Sequence, residues 1–212
     1  MISSPSLFGG ALLAAVVLVP SGAAAAPDDA IDLRALSDSK VTLVEVGKPG
    51  NARKAFVAAT IVNAPLAQVC AVLQDYPSYP AFMPNTASTV VTQGADHAVI
   101  DVTLKLPMGK IKKYRLRMEP KSSPQSCVLS WKLLPWPGLK KEETIADTTG
   151  AWRLSPGSTP ASAVLRYEVQ TDPGPIPFGL GWIVDSLSKD SIPQTLNAVR
   201  ERAVGKGKVN AS

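Results

Sequence analysis

One stretch near the C-terminus, residues 176–203, constrains the fold more than any other part of this 212-residue chain. Its apolar residues recur at the spacing of an amphipathic helix. They form two stripes that are out of phase where Pro193 stands, and a proline inside a helix removes a backbone hydrogen bond and bends the helix. We therefore predict one long helix, kinked near Pro193, with one apolar side to bury. The stripes are Leu180, Ile183, Val184 and Leu187, and then Ile192, Leu196, Val199 and Ala203.

The chain between residues 86 and 170 alternates apolar and polar side chains, which is typical of strands with one buried and one solvated face. A sheet of that length curls and needs a cover for its apolar face, and the long helix is the candidate cover. We predict an α+β fold in which a curved antiparallel sheet wraps around the helix. The predicted strands are 41–46, 55–62, 86–92, 99–106, 111–118, 127–133, 142–154 and 163–169.

Two short helices are predicted after the second strand. Asn63 is a good N-cap residue and Pro65 suits a first helical turn. Leu66, Val69, Cys70 and Leu73 then form one apolar face. A second, shorter helical piece at 81–84 lies between prolines, so it cannot be long.

The first 26 residues carry no charged side chain and combine an apolar run at 7–19 with small residues at 21–26. This is typical of a cleaved secretory signal peptide. We predict a periplasmic or secreted protein that is not a lipoprotein. Because the N-terminus lacks Lys and Arg, an uncleaved anchor is the alternative. The predicted layout is a signal peptide at 1–26, a flexible lead at 27–40, one domain at 41–205 and a disordered tail at 206–212.

Cysteine and histidine usage argues against a metal site. The chain has two cysteines, Cys70 and Cys127, and one histidine, His97. At such wide spacing they do not form a ligand set, so we predict neither a metal nor a cofactor. In an oxidising compartment the cysteines either form a disulfide or are two small buried side chains, and the sequence leaves both interpretations open.

The 22 basic and 17 acidic side chains give a formal net charge of +5. This balance fits an anionic membrane surface or a nucleic acid, and the predicted export argues against nucleic acid. The outward face of the central strands is basic. It is either a membrane-docking surface or a solvated sheet face that protects against strand association. Its residues are Lys110, Lys112, Lys113, Arg115, Arg117 and Lys132.

Two blocks of sequence resemble the START-like (SRPBCC) superfamily, and within it the polyketide cyclase and coenzyme Q-binding type. The first block is residues 62–65 with Val69, then 73–80 and 82–84; the second is 172–174, 176–177, 192–196 and 199–200. The resemblance spans about residues 41–204 and implies the helix-grip (START/Bet v 1-like) fold, in which sheet and helix leave an apolar cavity between them.

Such a cavity suits a hydrophobic small molecule, and the inward faces supply candidates for its wall. Tyr114 and Tyr167 are of special interest because a buried hydroxyl needs a partner and can orient a ligand. Tyr79, with its neighbours on the short helices, is placed where a cavity mouth is gated. The predicted lining residues are Tyr76, Phe82, Met83, Tyr114, Leu116, Met118, Leu129, Trp131, Trp152, Leu165, Tyr167, Ile183, Val184 and Leu187.

Catalytic machinery is not evident in the pattern. Asp101 and Glu143 fall on the outward phase, Glu119 at a strand end and His97 at a turn, so no inward nucleophile–base set or carboxylate pair is predicted. This favours a non-catalytic, monomeric binder or carrier of a lipid, sterol, isoprenoid or quinone, with transient membrane contact. The alternatives are a cyclase/aromatase-like enzyme using the same cavity and a protein-interaction module of the cell envelope.

Overall fold

The computed structural model describes residues 30–47, 53–174 and 181–205, without the side chains of residues 108 and 181–188. The predictions of a signal peptide at 1–26 and of a tail at 206–212 lie outside the described residues.

Eight antiparallel strands form one sheet, and it is ordered β1-β2-β8-β7-β6-β5-β4-β3. The six strands after the short helices are successive antiparallel neighbours, and β8 then pairs with β2. The strands are β1 Thr42–Glu45, β2 Lys54–Val62, β3 Thr86–Gln93, β4 Ala98–Lys105, β5 Ile111–Ser123, β6 Ser126–Leu134, β7 Asp147–Pro156 and β8 Ala163–Asp172. The helices are α1 Leu66–Gln74, α2 Tyr79–Phe82 and α3 Gly181–Ala203, with short 3₁₀ turns at Leu33–Ala35, Tyr76–Ser78, Pro107–Gly109 and Lys141–Glu143.

The C-terminal half of α3 is buried as its spacing predicts. Ile192 is 7% exposed, and the other three members of the second stripe are fully buried. They pack in one core with α1 and the concave sheet face. Pro193 lies inside the helix, and the kink stays a prediction. The first stripe lies outside what the structure describes. Leu180 falls in residues 175–180, which are not described, and Ile183, Val184 and Leu187 are described without their side chains.

The predicted cap of α1 is wrong. The helix begins at Leu66 with Pro65 in the N-cap position and no side-chain cap. Asn63 lies too far before the first turn to reach its free N–H groups, and its Nδ2 donates to Asp38 Oδ2 at 2.8 Å instead. The predicted buried face holds, because Val69, Cys70 and Leu73 are buried.

A disulfide joins Cys70 to Cys127 and settles the question that the sequence left open. It ties the middle of α1 to the start of β6, 57 residues away along the chain. Both cysteines lie in the main core. The bond therefore fastens the helix to one end of the sheet.

The strand predicted at 142–154 begins later, at Asp147. Residues Lys141–Glu143 form a 3₁₀ turn in which the Glu143 carboxylate accepts the Lys140 N–H at 2.9 Å. This local hydrogen bond competes with sheet pairing, which explains why the acidic start of the segment is not a strand.

The described part of the N-terminal lead covers the convex face of β2. Ile31 is buried against Val57 and Ala59, which face away from the main core. Further along the lead, the Ser37 carbonyl accepts the Ile61 N–H at 3.0 Å and, at 2.9 Å, the hydroxyl of Thr60, which is on the concave side of β2. The opposite, concave face is therefore the one left for α3 and the space beneath it.

Candidate functional site: a cavity between the sheet and the terminal helix

A cavity of about 340 Å³ lies between the concave sheet face and α3. Ligand pockets in proteins measure about 300–1,000 Å³, so this volume suits one compact molecule. Most of its wall is apolar. The lining residues are Lys54, Phe56, Tyr79, Met83, Pro84, Asn85, Thr86, Ile100, Val102, Leu104, Leu106, Tyr114, Leu116, Met118, Trp131, Ile145, Thr148, Trp152, Tyr167, Val169, Thr171, Ser191, Ile192 and Thr195.

Cross-strand register sorts the inward residues of β2, β8, β7 and β6 into rows, since alternate residues of a strand share a face. The outermost row is polar and consists of Lys54, Thr171 and Thr148. The two threonine hydroxyls are 2.9 Å apart and form a hydrogen bond. We call this row the rim of the cavity.

The rows become apolar inward from the rim. The second row is Phe56, Val169, Gly150 and Trp131, and the third is Ala58, Tyr167, Trp152 and Leu129. The fourth row, which we call the floor, is Thr60, Leu165, Leu154 and Cys127, each at most 2% exposed. The cavity wall thus runs from a polar rim to the aromatic third row, and the floor is buried beneath that row.

Three aromatic rings form the centre of the wall. The Tyr167 ring stacks on Trp131 with centroids 5.4 Å apart and lies 4.4 Å from the Trp152 centroid. Gly150 makes room for this cluster, because a Cβ there would lie 2.3 Å from Cζ2 of Trp131 and 2.2 Å from the Glu168 carbonyl oxygen. A side chain at position 150 would therefore displace the indole.

The tyrosines of the cavity wall are neutral hydrogen-bond donors. Burial raises the pKa of Tyr114 to about 12 and that of Tyr167 further, with a second contribution from Tyr114. Burial also raises the pKa of Tyr79 well above its ordinary value, and its hydroxyl donates to the Leu73 carbonyl at 2.5 Å. All three phenols are protonated at physiological pH.

The structure places the predicted lining residues in three groups. Seven lie in the cavity wall, namely Met83, Tyr114, Leu116, Met118, Trp131, Trp152 and Tyr167. Ile183, Val184 and Leu187 have side chains outside the described residues.

The remaining four predicted residues are not among those that line the cavity. Leu129 and Leu165 point inward but are fully buried at the closed end, because period two reveals the face of a residue and not its depth. Tyr76 is buried in the core, and Phe82 lies on α2 under the Arg202 guanidinium, 5.7 Å from its ring centroid.

The polar rim was missed by the sequence reasoning. Thr171 continues the inward alternation of Tyr167 and Val169, so period two extended by one step would have included it. Lys54 comes directly before the predicted strand at 55–62, and Thr148 lies within the predicted strand at 142–154. Only the cross-strand register shows that both residues are beside Thr171. Ser191 and Thr195 of α3 also line the cavity, and the Thr195 hydroxyl donates to the Ser191 carbonyl at 2.8 Å.

The basic outward face is a mixed-charge surface. Arg115 donates to both carboxylate oxygens of Asp101, at 2.6 and 2.7 Å, and lies 5.0 Å from the Trp136 ring centroid. Arg117 donates to Glu119 at 2.8 Å. The cross-strand pairing that places Asp101 opposite Arg115 cannot be read from one strand alone, whereas Glu119 follows Arg117 by two residues on the same face of β5.

The four lysines of that prediction are not a single patch. Lys112 falls on the inward phase of β5 and its Nζ donates to the Thr144 carbonyl at 2.6 Å. Lys110 and Lys132 are exposed and Lys113 is half-buried. Docking of these residues on a membrane stays a prediction.

Two searches of the described residues bear on other classes of site. No group of three His, Cys, Asp or Glu side chains within them is arranged to hold a metal ion. In the same ranges, no helix has the length and apolar character that crossing a membrane requires.

The sequence profile of the family described as polyketide cyclase / dehydrase and lipid transport matches residues 62–200. No curated protein matches the chain in sequence. The fold is similar to a STAR-related lipid transfer protein from Xanthomonas axonopodis, with TM-score 0.67 and 17% identity over 78% of this chain and 94% of that one. Human STARD10 gives TM-score 0.66 and 14% identity over 78% and 69% of the two chains. The Zhui aromatase/cyclase from a Streptomyces species gives TM-score 0.57 and 17% identity over 76% and 99%.

The curved sheet, the short helices after β2 and the terminal helix form the helix-grip fold, as the sequence predicted. The chain belongs to the polyketide cyclase / dehydrase and lipid transport family, because that profile covers most of the domain.

Proposed function

We propose that this protein binds one hydrophobic small molecule in the cavity beneath α3 and carries it without chemical change. The observation that carries the proposal is the cavity itself, about 340 Å³ with a mainly apolar and aromatic wall. A ligand there exchanges water for apolar contact, which stabilises the complex by about 25 cal/mol per Å² of apolar surface buried.

The composition of the wall supports binding more than catalysis. Among the lining residues within the described ranges there is no histidine, cysteine or carboxylate, and Lys54 is the one charged side chain. Acid–base or nucleophilic catalysis uses such groups within reach of the substrate. The lipid-transfer proteins among the structural relatives support the same choice, and the aromatase/cyclase among them makes a cyclase the second candidate.

The direct test is native mass spectrometry combined with organic extraction of protein purified from its own cells. A bound lipid, sterol, isoprenoid or quinone supports the carrier and identifies its ligand. Protein that carries nothing and binds nothing from a broad panel of hydrophobic compounds contradicts it. Turnover of an aromatic polyketide mimic by the same preparation would instead support the cyclase.

Neighbouring residues of β4 offer a matched pair of variants. Leu104 lines the cavity, and Thr103 precedes it on the opposite face of the strand. Leu104→Trp places an indole in the cavity and should remove most of the bound ligand, whereas Thr103→Trp should leave it. Equal ligand content in the two variants would show that the ligand binds elsewhere.

We also propose that the protein acts in the cell envelope or outside the cell. The Cys70–Cys127 disulfide supports this location, since disulfides persist in oxidising compartments. Fractionation of cells expressing the full chain, with the thiols alkylated at lysis, tests it. Recovery of reduced protein from the cytosol would contradict the proposal.

A further inference from the structure

The four tyrosines differ in what their hydroxyls contact. The Tyr79 hydroxyl donates to a backbone carbonyl. The Tyr76 hydroxyl is enclosed and has no hydrogen-bond partner among the residues that the structure describes. Tyr114 and Tyr167 line the cavity, and no described residue forms a hydrogen bond with either hydroxyl. Two phenol donors therefore line the cavity without a hydrogen-bond partner among the described residues.

We propose that the hydroxyls of Tyr114 and Tyr167 form a donor subsite that selects a hydrophobic ligand carrying a neutral carbonyl oxygen, such as a ketone or an ester. This rests on the proposed ligand-binding function and specifies which ligands are accepted. Each phenol supplies one O–H donor, and a carbonyl oxygen accepts through two lone pairs, so a carbonyl oxygen in the cavity can pair with these donors.

The surroundings of the two phenols favour a neutral acceptor over an anion. Burial raises the pKa of both, so both keep their protons. Tyr167 belongs to the aromatic third row, whereas the cation Lys54 lies two rows away at the rim. An isolated carboxylate at this depth would lose its hydration without a counter-ion, which costs far more than burying a carbonyl that accepts hydrogen bonds.

The same geometry predicts rejection of plain hydrocarbons. A hydrocarbon would cover the phenols and leave buried donors unpaired, and one unmade buried hydrogen bond costs a factor of roughly ten in affinity. A binding site that hydrogen-bonds a ligand oxygen discriminates strongly against the analogue without that oxygen, because the protein donors are then left unpaired. Such discrimination is stronger than that of an apolar pocket which recognises shape alone.

Benzophenone and diphenylmethane form a matched probe pair, because they differ in one C=O against one CH₂. Titration calorimetry with the full-length folded protein should show benzophenone binding about tenfold or more tightly. The carbonyl stretch of bound benzophenone should shift to lower frequency relative to its value in hydrocarbon solvent. Tyr114→Phe with Tyr167→Phe should bring the affinity ratio close to one and remove the shift. Tyr76→Phe, which removes a hydroxyl away from the cavity wall, is the control that should change neither.

The outcomes separate the two proposals. If both probes bind and the double variant keeps the wild-type ratio and carbonyl frequency, the subsite is wrong and the binding function stands. If neither probe binds the wild-type protein and its native extract is empty, the binding function fails and the subsite fails with it. Phenylalanine keeps each ring in place, and circular dichroism confirms that the variants are folded.

Discussion

Reduction of the Cys70–Cys127 disulfide should destabilise the domain without removing its core. The bond closes a loop of 57 residues between α1 and β6. In the chain-entropy treatment, a loop of that size lowers the entropy of the unfolded chain enough to stabilise the folded state by about 4 kcal/mol at 25 °C. For a domain of this size that corresponds to a fall of roughly 10 °C in Tm.

The cleanest assay compares the urea unfolding curves of oxidised and reduced wild-type protein. Tryptophan fluorescence monitors the unfolding. Reduction breaks the S–S bond and removes no heavy atom from the core. Cys→Ala variants would also leave a cavity, since both cysteines are buried. The Cys70→Ala, Cys127→Ala double variant serves as a control, because reductant should not alter its unfolding.

The expected result is a shift of the urea midpoint with loss of about 4 kcal/mol in unfolding free energy. Ligand binding should persist in the reduced protein, because the Cys127 row lies below the aromatic rows of the cavity. Oxidised and reduced proteins that agree within about 1 kcal/mol would refute the reasoning, since the bond would then not restrict the unfolded chain as its loop length requires.

Three further perturbations test other parts of the structure. Tyr76→Phe removes an enclosed hydroxyl for which the described part of the chain offers no partner, so it should stabilise the protein by about 1 kcal/mol or more in thermal unfolding; a loss of stability would mean that the hydroxyl is paired. Gly150→Ala should destabilise by about 1–3 kcal/mol and change the tryptophan emission, because the new Cβ meets Trp131 and the Glu168 carbonyl; an unchanged spectrum and stability would contradict the close approach. Burial raises the pKa of all four tyrosines, so absorbance at 295 nm should show no phenolate near the ordinary pKa of about 10 in the folded protein. Since the unfolded chain releases these protons first, the unfolding free energy should fall as pH rises above about 10, and one tyrosine that titrates normally at that pH would contradict the burial.

The face of each strand could be predicted from the sequence, because period two is a local property. Tyr114, Trp131 and Trp152 were placed on the concave side for that reason and lie in the cavity wall. The position of a residue between the rim and the floor could not be predicted from the sequence, because that position depends on which residues pair across strands. Leu129 shares its face with Trp131 and yet lies at the closed end.

The cross-strand partner of a residue also could not be predicted from the sequence. Arg115 alternates outward as expected, but only the β4–β5 register places Asp101 opposite it. The rim required the registers of three strands at once. The α1 cap was missed for a different reason: Asn63 has the chemistry of an N-cap but stands too far before the first turn to act as one.

The floor gives the cavity the properties of a molecular ruler. Leu165, Leu154 and Cys127 are buried one row beneath Tyr167 and Trp152 of the cavity wall, and the disulfide holds α1 against that end. In a series of ligands with lengthening alkyl chains, each added methylene should strengthen binding by about 0.8 kcal/mol while it still enters apolar space. Beyond the length that reaches the floor, added methylenes stay at the rim and the gain ends. The break point of such a series would measure the depth of the cavity in carbon atoms.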